Sequence, residues 1–166
     1  MKKNIFLIIL SSCSIFLACN YSDAYVDINS NNLFQISIPG WVKKETLAED
    51  ALISYANRYR NFYLIVLAND KKISFDSAKI NAFRRIYSML DSASFTSEQI
   101  QIGALPTTHY SIEGKMGKEA EKLIYELYIL EGKNKYYQIC IWTRSLERRK
   151  KYGDDFYKIV HSFKEI

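Results

Sequence analysis

Histidine is scarce in this chain: among 166 residues only His109 and His161 offer a base near neutral pH. Neither stands in a His-Glu-x-x-His pattern, and the cysteines, Cys13, Cys19 and Cys140, make no paired metal-ligand motif. The segment Gly114-Lys115-Met116-Gly117-Lys118 has glycines and lysines but lacks the spacing of a phosphate-binding loop, so it reads as a turn. The carboxylates are scattered. Asp154-Asp155 fits the start of a helix, where negative charge meets the positive end of the dipole. Excess charge is also small, with 23 Lys plus Arg against 18 Asp plus Glu, which suits solubility and not nucleic-acid binding. No internal repeat or low-complexity tract appears. With no paired acid and base, we expect no catalytic residue, no cofactor and no metal; the chain does not read as an enzyme.

What is present begins at the N-terminus. Lys2 and Lys3, the apolar run Ile5 to Leu10, and then Ser14-Ile15-Phe16-Leu17-Ala18-Cys19 combine a positive start, an apolar core and a small residue before a cysteine. The segment resembles a bacterial lipoprotein signal peptide. That resemblance implies cleavage before Cys19, lipidation of the Cys19 thiol and a domain tethered to a membrane in the bacterial cell envelope. In a Gram-negative cell this would be the outer membrane, at its periplasmic or surface face. Phe16 stands where the common motif has Leu, Val or Ile, and Leu10-Ser11-Ser12-Cys13 fits the four-residue pattern better. Cleavage at Cys13 would leave a very short apolar core and keep Ile15-Phe16-Leu17 on the mature chain, so Cys19 is favoured with Cys13 as the alternative. A spanning helix needs roughly 20 apolar residues, and this run is shorter and broken by Ser11, Ser12 and Ser14.

Removing residues 1–18 from the 166 leaves 148, the size of one domain with a sizeable core. Losing Lys2 and Lys3 leaves 21 basic against 18 acidic residues, a balance of +3. Cys140 is then the one free thiol, so packing and not a disulfide must stabilise the fold. Inside an apolar strand, with no cationic neighbour in sequence, it should bury as a small hydrophobe. Residues 19–32 are rich in Ser, Asp and Asn and read as a flexible tether, the alternative being a packed loop with Tyr25 to Ile28 as an edge strand.

The domain, residues 33–166, opens with Leu33 to Ile38, where Phe34, Ile36 and Ile38 alternate with polar residues as in a half-buried strand. Pro39-Gly40 turns the chain. A charged stretch, Lys43 to Asp50, leads to strands at Ala51 to Ala56 and Phe62 to Ala68. The second is apolar on both faces and belongs in the middle of a covered sheet. Ser74 to Ala93 has helical spacing at Phe75, Ala78, Ala82, Phe83, Ile86 and Leu90, with Ser74 as N-cap. Strand character returns at Gln99 to Ile102, Thr107 to Glu113, Lys122 to Leu130 and Tyr136 to Thr143, joined by turns at Gly103 to Pro106, Gly114 to Glu119 and Glu131 to Lys135. Ser145 should cap a helix through Tyr152, and a last helix should bury Phe156, Ile159, Val160 and Phe163. These elements predict an α+β fold with a mainly antiparallel central sheet flanked by helices.

The order "LFQISIPGWVKKE", "FYLIVLA", a helix, a strand meander, "YYQICIWT" and "FYKIVHSF" resembles the PsbP-like α/β/α sandwich proteins over about Leu33 to Phe163. Its two local signatures are Ile38 to Trp41 and Val160 to Phe163. The resemblance implies an accessory, assembly or partner-binding role with no catalytic motif to transfer. We therefore expect a membrane-anchored module for a protein partner. The alternative is a carrier or sensor of a small apolar or aromatic ligand held between sheet and helix. Arg144, Arg148, Arg149, Lys150 and Lys151 are the candidate surface for a partner or for anionic headgroups, a solvated helix face being the competing reading. His109, on the same strand face as Ser111 and Glu113, and His161, on the last helix, should both be exposed.

Overall fold

The computed structural model describes residues 24–117 and 121–166. The export segment 1–18, Cys13 and Cys19 lie outside the described residues. The elements run β1 (Tyr25–Ser30), β2 (Phe34–Pro39), β3 (Lys43–Lys44), β4 (Ile53–Asn57), β5 (Phe62–Asp70), α1 (Phe75–Tyr87), β6 (Asp91–Ile102), β7 (Leu105–Lys115), β8 (Lys122–Glu131), β9 (Lys135–Thr143), α2 (Leu146–Lys151), α3 (Gly153–His161) and β10 (Lys164–Glu165). A seven-stranded sheet has the order β3-β4-β5-β9-β8-β7-β6, and a three-stranded sheet the order β1-β2-β10. Every pairing is antiparallel. The expected α+β class and flanking helices are found.

Alternation along the central strands sends side chains to two separate cores. Ile139 and Ile141 of β9, with Tyr128 and Leu130 of β8, meet Phe156, Ile159 and Val160 of α3 and Phe34, Ile36 and Ile38 of β2. Leu127, Ile129 and Cys140 face the other way, against Ala82 and Ile86 of α1. The run Phe62 to Leu67 is buried on both faces because β5 lies between β4 and β9 with cover on each side. Both local signatures of the resemblance land in one core: Trp41 sits 4.9 Å from Phe62 and 5.4 Å from Tyr152, and Phe163 stacks 5.2 Å from Phe34.

Three expectations need correction. Tyr25–Ser30, read first as part of the tether, is the edge strand that the alternative reading placed at Tyr25 to Ile28, paired with β2 from Tyr25↔Pro39 to Ser30↔Phe34. Its few apolar residues suffice because the strand is an edge whose backbone bonds go to β2 and whose outer side faces water. The helix expected to Ala93 stops at Tyr87, capped by the αR residue Ser88. Leu90 is buried just past the helix end, and Asp91 then begins a twelve-residue strand, not the four-residue one expected at Gln99. Gly114, expected in a turn, belongs to β7, where a Cβ would fall 2.8 Å from the Leu90 Cβ; only glycine admits that approach.

Candidate functional site

β8 reads Lys-Leu-Ile-Tyr-Glu-Leu-Tyr-Ile-Leu-Glu, and the one carboxylate in its middle, Glu126, has 0 % exposure. A carboxylate taken out of water must be paired and hydrogen-bonded. Register supplies the partners, since Ser111↔Glu126 and His109↔Tyr128 are cross-strand neighbours and Glu98↔His109 extends the row to β6. His109 Nε2 lies 2.5 Å from Glu126 Oε2, and Nδ1 lies 2.9 Å from Glu98 Oε1. The Ser111 hydroxyl donates to Glu126 Oε1 at 3.2 Å, and Arg149 Nε donates to the same oxygen from α2. The imidazole stacks flat on Tyr128, ring centres 4.2 Å apart.

The electrostatics follow from this packing. Burial alone would lower the His109 pKa, but the hydrogen bonds it donates to Glu126 and then Glu98 outweigh it and raise the value above 6.5. Burial pushes Glu126 up, and the bonds from His109 and Arg149 more than reverse it, holding the carboxyl below 4.5. His109 is therefore not the exposed residue expected: its side chain is 13 % exposed and both ring nitrogens face carboxylates. Glu113, the expected neighbour, instead pairs with Lys122. His161 does lie at the surface, stacked on Tyr157 at 3.8 Å.

Glu126 also divides the basic segment. Arg149 turns inward to it and covers the Phe156 ring at 5.4 Å. Arg144 is exposed with its guanidinium 5.9 Å from the Tyr63 ring, and Lys150 is exposed. Arg148 Nη1 is 3.5 Å from the Tyr152 hydroxyl, and the Lys151 ammonium lies 5.7 Å over the same ring. Four of the five charges thus remain at or near the surface, while the fifth fastens α2 to the sheet.

A second grouping was not legible as one in the sequence. On the α1 face, Phe83 and Tyr87 of the helix meet Phe95 of β6 and Tyr110 of β7, with Phe83 5.0 Å from Tyr87, 4.7 Å from Phe95 and 5.0 Å from Tyr110. Three rings are half-buried and Phe95 is 49 % exposed. The four positions span twenty-eight residues of chain, so only the β6–β7 pairing and the docking of α1 bring them together. This apolar patch lies on the sheet face opposite the basic helix α2.

Cys140 is buried as expected, and burial pushes its thiol up to about 12. Among the described residues no three His, Cys, Asp or Glu side chains are placed to hold a metal, and no helix is long and apolar enough to cross a membrane.

No family model matches the chain, and no curated protein matches it in sequence. Solved structures match in shape. The Ran-binding protein Mog1p of Saccharomyces cerevisiae has a TM-score of 0.61 at 9% identity, over 86% of this chain and 96% of that one. Cyanobacterial PsbP (CyanoP) of Synechocystis has a TM-score of 0.65 at 10% identity, over 95% and 99% of the two chains. LpqN, involved in cell envelope biogenesis of Mycobacterium tuberculosis, has a TM-score of 0.57 at 8% identity, over 86% and 90%. The protein has the α+β fold of PsbP and Mog1, as the resemblance in element order implied; at these identities the likeness is one of fold alone.

Proposed function

We propose that this is a lipid-anchored protein of the bacterial cell envelope, held at a membrane through Cys19, whose domain binds a protein partner and performs no catalysis. The observation that carries the reading is the cluster of Phe83, Tyr87, Phe95 and Tyr110 at the outer strands β6 and β7. Aromatic rings exposed together are enriched at recognition surfaces because they bury much area for few rotatable bonds. The candidate acid–base groups argue against chemistry: both nitrogens of His109 are engaged by carboxylates and Glu126 is sealed from solvent. Sharing a fold with a Ran-binding protein and with an envelope-biogenesis protein is compatible with an accessory role but does not supply the partner.

A photo-reactive amino acid placed at Phe95 in living cells tests the partner. A discrete protein adduct is expected there, absent when the probe replaces Tyr59, which is 90% exposed on the β4–β5 turn, and weakened by Tyr110→Ala. Equal labelling from both positions would overturn the reading. For the anchor, Cys19→Ser should release the protein from membranes whereas Cys13→Ser should not. Mass spectrometry showing an unacylated chain that begins at Met1 would contradict it.

A further inference from the structure

Beneath α1, on the side away from the aromatic patch, the sheet leaves a cavity of about 230 Å³. Ile65 and Leu67 of β5, Leu127 of β8 and Cys140 of β9 form its floor, and Ala82 and Ile86 of α1 form a wall. Leu47 and Ala48, on the loop between β3 and β4, close it from above. That loop is held to α1 by Asp50, whose two oxygens accept from Arg85 Nη1 at 2.9 Å and Nη2 at 3.2 Å.

Besides Arg85, the lining includes the polar side chains of Tyr125 and Gln138. Tyr125 is 7 % exposed, lines the cavity and stacks 5.7 Å from Trp142, yet its hydroxyl has no hydrogen-bond partner among the described residues. Among the described residues no buried side-chain polar atom lacks a partner, so this hydroxyl is open to water at the cavity, and the polar atom of a bound molecule can take that water's place. The size of the space limits what that can be: at interior packing density it holds on the order of ten non-hydrogen atoms, too few for a membrane lipid. Charge limits it further. Among the described residues Arg85 is the one charged residue on the lining, and Asp50 already satisfies its fork, so an anion gains little there.

We propose that this cavity is a binding site for a small, uncharged aromatic molecule that carries one hydrogen-bonding group, with its ring among the apolar side chains beneath α1 and its polar atom on the Tyr125 hydroxyl. The aromatic choice rests on the Tyr63–Trp142–Tyr125 stack, whose last two members line the wall, and on the thiol of Cys140 in the floor, both of which favour a flat polarisable ring over an alkyl chain. The site is independent of the partner surface, and its test does not require the partner.

The test is calorimetric titration of the full chain with 4-methylphenol, accompanied by NMR of backbone amides and side-chain methyls. Saturable binding is expected, with shifts concentrated at Ile65, Ala82, Ile86 and Leu127. Tyr125→Phe keeps the shape and removes the hydroxyl, so affinity should fall about five- to tenfold. Ala82→Leu fills the space and should abolish binding while thermal unfolding shows the protein folded. Should that variant not fold, the Tyr125→Phe comparison still decides. Toluene binding as tightly as 4-methylphenol, n-octanoate binding at the same residues with equal affinity, or the absence of saturable binding would each overturn the assignment.

Discussion

On the face of the large sheet covered by α2, α3 and the small sheet, rings from Phe34, Trp41, Phe62, Tyr137, Tyr152, Phe156 and Phe163 interlock, and the buried carboxylate of Glu126 is fully paired. On the face covered by α1 alone, the core is smaller, a cavity remains and four aromatic rings stay partly in water. Close packing on one side makes the other side affordable as a binding surface, because stability concentrated in one core need not be supplied by both. An incompletely covered helix face is where a ligand or a partner can add contacts that the fold does not already make.

The sharpest way to break this contrast is truncation on each side. Phe156→Ala should lose about 3–5 kcal/mol in chemical denaturation, as a buried ring leaving a cavity does, whereas the half-exposed Phe83→Ala should lose about 1 kcal/mol. Equal losses would show that the faces contribute alike. Next in size is Glu126→Gln, expected to lose about 3 kcal/mol because Arg149 and His109 are left without their shared carboxylate. Gly114→Ala should lose about 1–3 kcal/mol, since its Cβ would press into Leu90, and the loss should be visible as a lower thermal midpoint.

A smaller effect is the pH dependence of the packed face. The raised pKa of His109 means that its contribution is complete below 6.5 and declines as pH rises through the folded-state value. Glu126, held low, contributes fully above 4.5 and loses that contribution as pH falls through its depressed value. Stability measured across pH should therefore fall off on both sides of a mildly acidic maximum, and His109→Gln should remove the alkaline decline. The smallest effect on stability is expected from Phe95→Ser, within about 0.5 kcal/mol, while the same change should abolish the adduct with the partner. A large stability loss there would move the aromatic patch from the binding surface into the core.

Much of the architecture was legible because burial writes itself into side-chain period. The both-face apolar run at Phe62, the strand character at Lys122 to Leu130, the Ser145 cap and the Phe156-Ile159-Val160 face each appear where expected. What was missed lies at edges. β1 and most of β6 pair on one side only and carry polar residues toward water, so β1 was legible only as an alternative to the tether and the first eight residues of β6 not at all. Glu126 left a usable signal that passed unnoticed, a lone carboxylate inside an otherwise apolar strand, which must have partners if the strand is central.

Local pattern therefore determined which segments are strands and helices in the interior, and the N-terminal residues alone carry the expectation of a lipid anchor. Only the tertiary structure decided that Arg149 belongs to Glu126 and not to the basic surface, that His109 is enclosed, and that Phe83 and Phe95 meet. Those outcomes depend on register and on how helices dock across the sheet, and register couples residues far apart in the chain whose identities carry no mark of one another.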